Sequence, residues 1–188
     1  MTFPAQYYHY CLAVFALLAC LHYGGQAYQH DFYQDHTHVC LPGQIITEVQ
    51  STFNGRDRKW NVTCSPAPGS ARTIDCQWNA GPLFINEADG EMLYQCPGQK
   101  VVTGMASVHK GVQSDRLYKT YCCDVEGHVP HECFYTRYIN AMQGDMDYTL
   151  PSGNSLRGLY SYHNNKREDR QFQLNVCRLD ALELDTSG

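Results

Sequence analysis

The chain has 188 residues, with 14 Lys and Arg against 19 Asp and Glu and a formal net charge of −5. That balance excludes a generally basic nucleic-acid binder. Ten cysteines and fourteen tyrosines are the two compositional features that need a physical account.

The first 27 residues carry no Lys, Arg, Asp or Glu and include the apolar run Leu12 to Ala19. That run is much shorter than the roughly 20 residues of a membrane span. With the small-residue site Gly25-Gln26-Ala27 behind it, residues 1–27 read as a secretory signal peptide cut after Ala27. No other stretch is apolar enough for a span, so a soluble, secreted mature chain is expected. Cleavage removes Cys11 and Cys20 and leaves eight cysteines, an even number that reads as four disulfides in an oxidising compartment. The new terminus, Tyr28-Gln29-His30, carries the amine, amide and imidazole donors of a square-planar Cu(II) site, beside the plainer reading of a frayed end.

Residues 28–39 are polar and aromatic without clear periodicity, and from Cys40 the chain repeats itself. Asp57-Arg58-Lys59-Trp60, Asp115-Arg116-Leu117-Tyr118 and Asp169-Arg170-Gln171-Phe172 each open an alternating run that reads as a strand. A matched segment precedes each: Ile46 to Ser51, Val102 to Ser107, and Leu156 to Ser161. The equivalent starts, Cys40, Cys96 and Leu150, lie 56 and 54 residues apart. Ser65 to Ser70 is a Pro/Gly/Ser loop. The connector from Cys76 to Tyr94 carries Trp78 and Phe84, and a second connector begins at Cys133. Gly90 to Cys96 matches Gly144 to Leu150, and no segment shows a helical face over three turns. The expectation is therefore an all-β domain over residues 28–188, with repeats at about 28–75, 76–132 and 133–188. Three such units are too few for an open solenoid, so a closed pseudo-threefold arrangement, prism-like or trefoil-like, is expected.

The repeat also orders the cysteines. Counted from each motif aromatic, the fourth residue on is Cys64, Cys122 and Val176, and the upstream start is Cys40, Cys96 and Leu150. Cysteines at these two places occur together in the first two repeats and are absent together from the third, which pairs Cys40 with Cys64 and Cys96 with Cys122. Equivalence among the remaining four pairs Cys76 with Cys123 and Cys133 with Cys177. A rival metal cluster of Cys122, Cys123, His128, His131 and Cys133 would need thiolates where the compartment favours disulfides.

On a strand Arg58 and Trp60 share a face, as do Arg116 with Tyr118 and Arg170 with Phe172. These six are the candidate ligand-binding residues: a guanidinium beside an aromatic ring can hold a carboxylate, a sulfate or a sugar. The alternative use of the same arginines is to close the core on internal carboxylates. Asn61-Val62-Thr63 is an N-glycosylation sequon, and Tyr33 and Tyr148 stand beside acidic residues in a context suited to sulfation. No nucleophile elbow, zinc-protease or phosphate-loop motif is present, so neither catalytic residues nor a cofactor or metal are expected.

These motifs, with the Cys-x-x-Gly-Gln opening of Cys40 to Gln44, Met92-Leu93-Tyr94-Gln95-Cys96, Tyr121-Cys122-Cys123 and Val176-Cys177-Arg178, resemble the dermatopontin family of tyrosine-rich acidic matrix proteins. The resemblance runs from about Asp31 to Leu179. It implies an extracellular matrix protein that binds collagen and matrix proteoglycans and supports cell adhesion. It implies sulfated or other glycans among its partners and, as an alternative function, a multivalent lectin that agglutinates cells by recognising cell-surface glycans.

Overall fold

The computed structural model describes residues 31–79 and 83–182. The expected signal peptide with Cys11 and Cys20, and the copper arrangement considered for Tyr28-Gln29-His30, fall outside the described residues. The fold is all-β. The strands are β1 (His36–Val39), β2 (Gln44–Phe53), β3 (Arg58–Pro66), β4 (Thr73–Trp78), β5 (Met92–Gln95), β6 (Val101–Lys110), β7 (Asp115–Val125), β8 (His128–Tyr135), β9 (Met146–Thr149), β10 (Asn154–Asn164) and β11 (Asp169–Ala181). One 3-10 turn, Pro68–Ser70, is the only helical element among the described residues.

Each repeat contributes one long hairpin, β2–β3, β6–β7 or β10–β11. The predicted alternation is visible in β3, where Arg58, Trp60 and Val62 are buried while Lys59, Asn61 and Thr63 are half-buried on the other face. Each hairpin supplies two neighbouring strands of one sheet: sheet I runs β3-β2-β9, sheet II β1-β6-β7-β4, and sheet III β5-β10-β11-β8. The short edge strands are exchanged between repeats. Strand β1 precedes the first hairpin but pairs with β6 of the second, and β5 precedes the second but pairs with β10 of the third. Strand β9, which precedes the third hairpin, returns to β2 of the first, with Ser51 opposite Met146.

All three hairpins carry a bulge at the same place, between Ile46 and Glu48, Val102 and Gly104, and Leu156 and Gly158. Two of these positions require glycine because the exchanged strand comes in so close. A Cβ on Gly104 would stand 2.8 Å from the His38 carbonyl oxygen, and one on Gly158 would collide with the Tyr94 carbonyl oxygen and the Gln95 Cα.

The main core lies between the sheets, with Ile46, Val49, Trp60, Met105, Tyr118, Leu159, Phe172 and Leu174 among its members. A smaller cluster of Ile45, Ala67, Val101, Val125 and Leu179 lies apart from it. Ala67, Val125 and Leu179 each stand at the same offset from their Asp-Arg motif.

The disulfides are Cys40–Cys64, Cys96–Cys122, Cys76–Cys123 and Cys133–Cys177. Their mechanical roles follow from strand exchange. Cys40 follows β1 in sheet II and Cys64 is on β3 in sheet I, so this bridge fastens one sheet to the next. Cys96–Cys122 does the same between sheets III and II. At the third junction Leu150 and Val176 occupy the equivalent positions, both in the main core. The other two bridges each tie an outer strand, β4 or β8, to its neighbour within one sheet. The cysteines of the rival metal cluster are all consumed in these bridges.

A non-reducing peptide map is expected to yield these four linkages, and a Cys40–Cys76 fragment would contradict the strand exchange. Replacing Cys76 and Cys123 together by serine is expected to cost about 2–5 kcal/mol, read from the denaturant midpoint. Gly158→Ala is expected to lower that midpoint more than Gly153→Ala, where an added Cβ meets open space, although Gly153 bears its own cost from a positive φ.

Candidate functional site

The Asp-Arg motif begins the second strand of each hairpin, and the structure brings its three copies together in a cycle. Arg58 donates from Nε and Nη2 to the Asp169 carboxylate at 2.8 and 2.6 Å. Arg116 donates likewise to Asp57 at 2.6 and 2.8 Å, and Arg170 to Asp115 at 2.6 and 2.6 Å. Each arginine thus holds the aspartate of a different repeat, and the series closes on itself. All six side chains are buried, at 4% exposure or less. The bidentate fork explains why arginine rather than lysine stands here.

A buried ion pair is stable only when its remaining lone pairs and protons are satisfied. The carboxylates also accept backbone N–H bonds, from Tyr33 to Asp57, Asp89 to Asp115 and Gln143 to Asp169, at 2.6, 2.9 and 2.6 Å. Those three donors occupy the left-handed region, with φ of 65°, 61° and 64°, at equivalent points of the repeats. Arg58 and Arg116 also donate from Nη1 to Ser51 and Ser107 Oγ, each at 2.9 Å, and from Nη2 to the carbonyls of Gly144 and Gln34. The third joint is looser: Arg170 Nη1 and Ser161 Oγ, the equivalent pair, are buried without a hydrogen bond among the described residues.

Two residues along each strand, on the same face, the motif aromatics meet edge to face. The centroid distances are 5.8 Å for Trp60–Tyr118, 5.0 Å for Trp60–Phe172 and 5.9 Å for Tyr118–Phe172, with interplanar angles of 80–89°. This is the favoured geometry for ring quadrupoles. Burial raises the Tyr118 phenol well above its ordinary value, chiefly because its anion would lose its hydration.

The six candidate ligand-binding residues therefore spend their chemistry inside the protein, the arginines on the three aspartates and the aromatics on one another. Arg58, Trp60, Arg116, Tyr118, Arg170 and Phe172 are each at most 3% exposed; a small crevice between the hairpin ends borders the arginines and Tyr118, and a groove of about 290 Å³ on sheet I borders Trp60. They form a lock, and a ligand reaching the protein from outside meets other groups. Asn61 lies on the outer face of sheet I, where its amide donates to Gln50 Oε1 at 3.0 Å and Thr63 donates to Glu48 at 2.9 Å. Tyr33 is exposed, whereas Tyr148 is half-buried with its phenol raised by desolvation.

Among the described residues, two groupings have metal-ligand types in reach of each other. In His38, Cys40 and Cys64 the sulfurs form a disulfide, and in Asp89, Asp115 and His163 the Asp115 carboxylate is already held by Arg170.

The outward surfaces differ from sheet to sheet. Sheet I presents the polar network of Glu48, Gln50, Asn61 and Asp147. On sheet II Trp78 packs on Tyr121 at 5.0 Å, and Lys119 Nζ lies 5.3 Å from the Phe84 ring centroid. Sheet III shows Tyr138 against Tyr162 at 5.7 Å. Where the edge of sheet II at β4 meets the edge of sheet III at β5, a cleft of about 400 Å³ opens between Gln77, Trp78, Tyr94 and Gln95. Sequence reading noted Trp78 only as part of a connector. The signal that marks it is an aromatic directly after an exposed amide on an outer strand, and strand exchange must be known before Tyr94 can be placed opposite.

The dermatopontin family profile matches residues 30–181. The hemagglutinin/amebocyte aggregation factor of Limulus polyphemus is 32% identical over 138 residues, covering 72% of this chain and 76% of the relative. Millepora cytotoxin-1 of Millepora dichotoma is 33% identical over 146 residues, covering 77% of this chain and 63% of the relative. Dermatopontin of Mus musculus is 29% identical over 176 residues, covering 84% of this chain and 86% of the relative. No solved structure matches significantly.

Asp57→Asn leaves Arg116 buried beside a neutral partner and is expected to destabilise by about 3–5 kcal/mol in equilibrium unfolding. The double variant Asp57→Asn with Arg116→Met is expected to recover part of that loss. Because the folded state holds the Tyr118 phenol neutral, its contribution is fully present below the unfolded tyrosine value of about 10 and is lost as pH rises past it. Tyr118→Phe is therefore expected to flatten the alkaline fall in stability, measured as the unfolding midpoint from pH about 8 to about 11.

Proposed function

The chain belongs to the dermatopontin family, and on that footing we propose that it is a secreted, non-catalytic extracellular matrix protein. Its activity is to bind matrix proteoglycans and collagen and so to support cell–matrix adhesion or matrix assembly. The observation that carries this reading is the family match over residues 30–181, nearly the whole of the described chain. Four disulfides fit an oxidising, extracellular setting. No helix of the described residues is long and apolar enough to cross a membrane.

The scaffold in this reading is a closed pseudo-threefold arrangement of three repeats. Support comes from the return of β9 to β2, the cyclic Arg–Asp pairing and the mutual contact of Trp60, Tyr118 and Phe172. With the repeated arginines and aromatics engaged inside, matrix contacts are assigned to the outer faces and the hairpin ends. Arg56, Lys166 and Arg167 are exposed at two of those ends and supply cations for sulfated polymers. Glycosylation of Asn61 belongs to the same proposal.

The second reading is a lectin. It is supported by the 32% identity to a Limulus protein named hemagglutinin and by the uncharged aromatic cleft between β4 and β5.

Solid-phase binding to collagen and to sulfated glycosaminoglycans, with red-cell agglutination in parallel, separates the two. The matrix reading expects binding that weakens markedly when salt is raised from about 0.05 M to about 0.5 M, as the Debye length shortens. Agglutination abolished by a simple neutral sugar would favour the lectin. Absence of binding to collagen, sulfated polymers and cells alike would overturn both.

A further inference from the structure

We infer that the cleft between β4 and β5 is a binding site for an uncharged saccharide, with Trp78 as its platform and Gln77 as a reader of hydroxyl groups. This deepens the lectin reading and rests on it. The cleft lies between the free edges of two sheets rather than on a sheet face, so both β4 and β5 present side chains into it. Its volume of about 400 Å³ falls within the range of small-ligand sites.

The chemistry of the lining selects the ligand class. No Lys, Arg, Asp, Glu or His lines the cleft, and the cysteine at its base, Cys122, is held in a disulfide. An anionic sugar would lose hydration there without gaining a counter-charge. What the cleft offers is an indole, a phenol and primary amides. A pyranose is apolar on its C–H face and polar around its rim. The polarised C–H bonds suit the negative face of an aromatic ring, and the hydroxyls suit amides, which both donate and accept.

The platform is held in place. Trp78 pairs with Tyr121 across the sheet and packs on its ring at 5.0 Å, and β4 is fixed to β7 by Cys76–Cys123. The amide groups have capacity to spare. Gln77 is exposed and forms no side-chain hydrogen bond among the described residues, and Gln95 uses one N–H on the Tyr135 hydroxyl at 3.1 Å, leaving its carbonyl open. By contrast the Asn79 amide is spent on the Leu83 carbonyl and the Thr120 N–H, so it shapes the wall without reading the ligand.

The repeats do not copy this site. Phe134-Tyr135 stand where the cleft has Gln77-Trp78, and Tyr94 corresponds to His38 and Tyr148. The described residues therefore offer one such cleft, and bridging of cells through it would follow from self-association. Direct binding is the right measurement.

The chain has two tryptophans, and Trp60 is 2% exposed in the core, so a ligand-induced change in indole emission reports Trp78. The purified secreted protein is titrated with methyl glycosides of glucose, galactose, mannose and N-acetylglucosamine, and separately with heparin. Saturation-transfer NMR provides the second readout, and near-UV circular dichroism checks that the fold is intact. The expected result is saturable binding of at least one neutral glycoside, weakened about tenfold or more by Gln77→Ala and lost in Trp78→Ala. Neutral-sugar binding unchanged in both folded variants would overturn the site while leaving the lectin reading standing. No binding of any of the neutral glycosides would overturn the site together with the lectin reading. Heparin binding alongside that result would leave the matrix reading in place.

Discussion

Three guanidinium–carboxylate pairs, each drawn from two repeats, are the constraint on which the rest of the molecule depends. Removing six charges from water is costly, and mutual attraction offsets that cost only when every partner is in position. Here the partners come from all three hairpins and from the turns before β1, β5 and β9. A hairpin that failed to dock would leave one arginine and one aspartate buried and unpaired at two separate joints. The lock therefore favours one arrangement of the repeats over any partial one, beyond what apolar packing supplies. The aromatic contact of Trp60, Tyr118 and Phe172 follows directly, because residues two apart on a strand share a face.

The regularity that built the lock was legible in the chain. The Asp-Arg-x-aromatic spacing placed arginine and ring on one face, and the cysteine offsets matched the two kinds of bridge. Partner choice was not legible. Nothing in a single strand says that Arg58 holds Asp169 rather than Asp115, since that depends on how the hairpins are arranged around one another. Nor was strand exchange, because β1 and β5 carry no local mark of the hairpin they will join. The left-handed positions were invisible for a different reason: Tyr33, Asp89 and Gln143 are not glycines, and their backbone is held by the carboxylate each donates to. Cys40–Cys64, close in sequence, proved to be a link between sheets for the same topological reason.

Inside and outside have followed different rules. The inward positions repeat, whereas the outward ones diverge into a carboxylate and amide network on sheet I, a Trp–Tyr and Lys–Phe surface on sheet II and a tyrosine pair on sheet III. Inward substitutions disturb a shared network of buried charge and rings, while outward substitutions alter one face and leave the others as they were. A scaffold of this kind can present chemically distinct surfaces without giving up its internal regularity.

The return of β9 to β2 sets the timing of folding during synthesis. The first hairpin is complete once Pro66 has been made, yet the edge of β2 that receives β9 stays open until Thr149 has emerged. Over that interval the stretch of β2 from Glu48 to Ser51 presents unpaired N–H and C=O groups on the side that β9 will cover, and Arg58 waits for Asp169. Such an edge is a template for pairing with another chain. Nascent chains cut short before β9 are thus left with an adhesive stretch of β2, Glu48 to Ser51, that the finished protein covers.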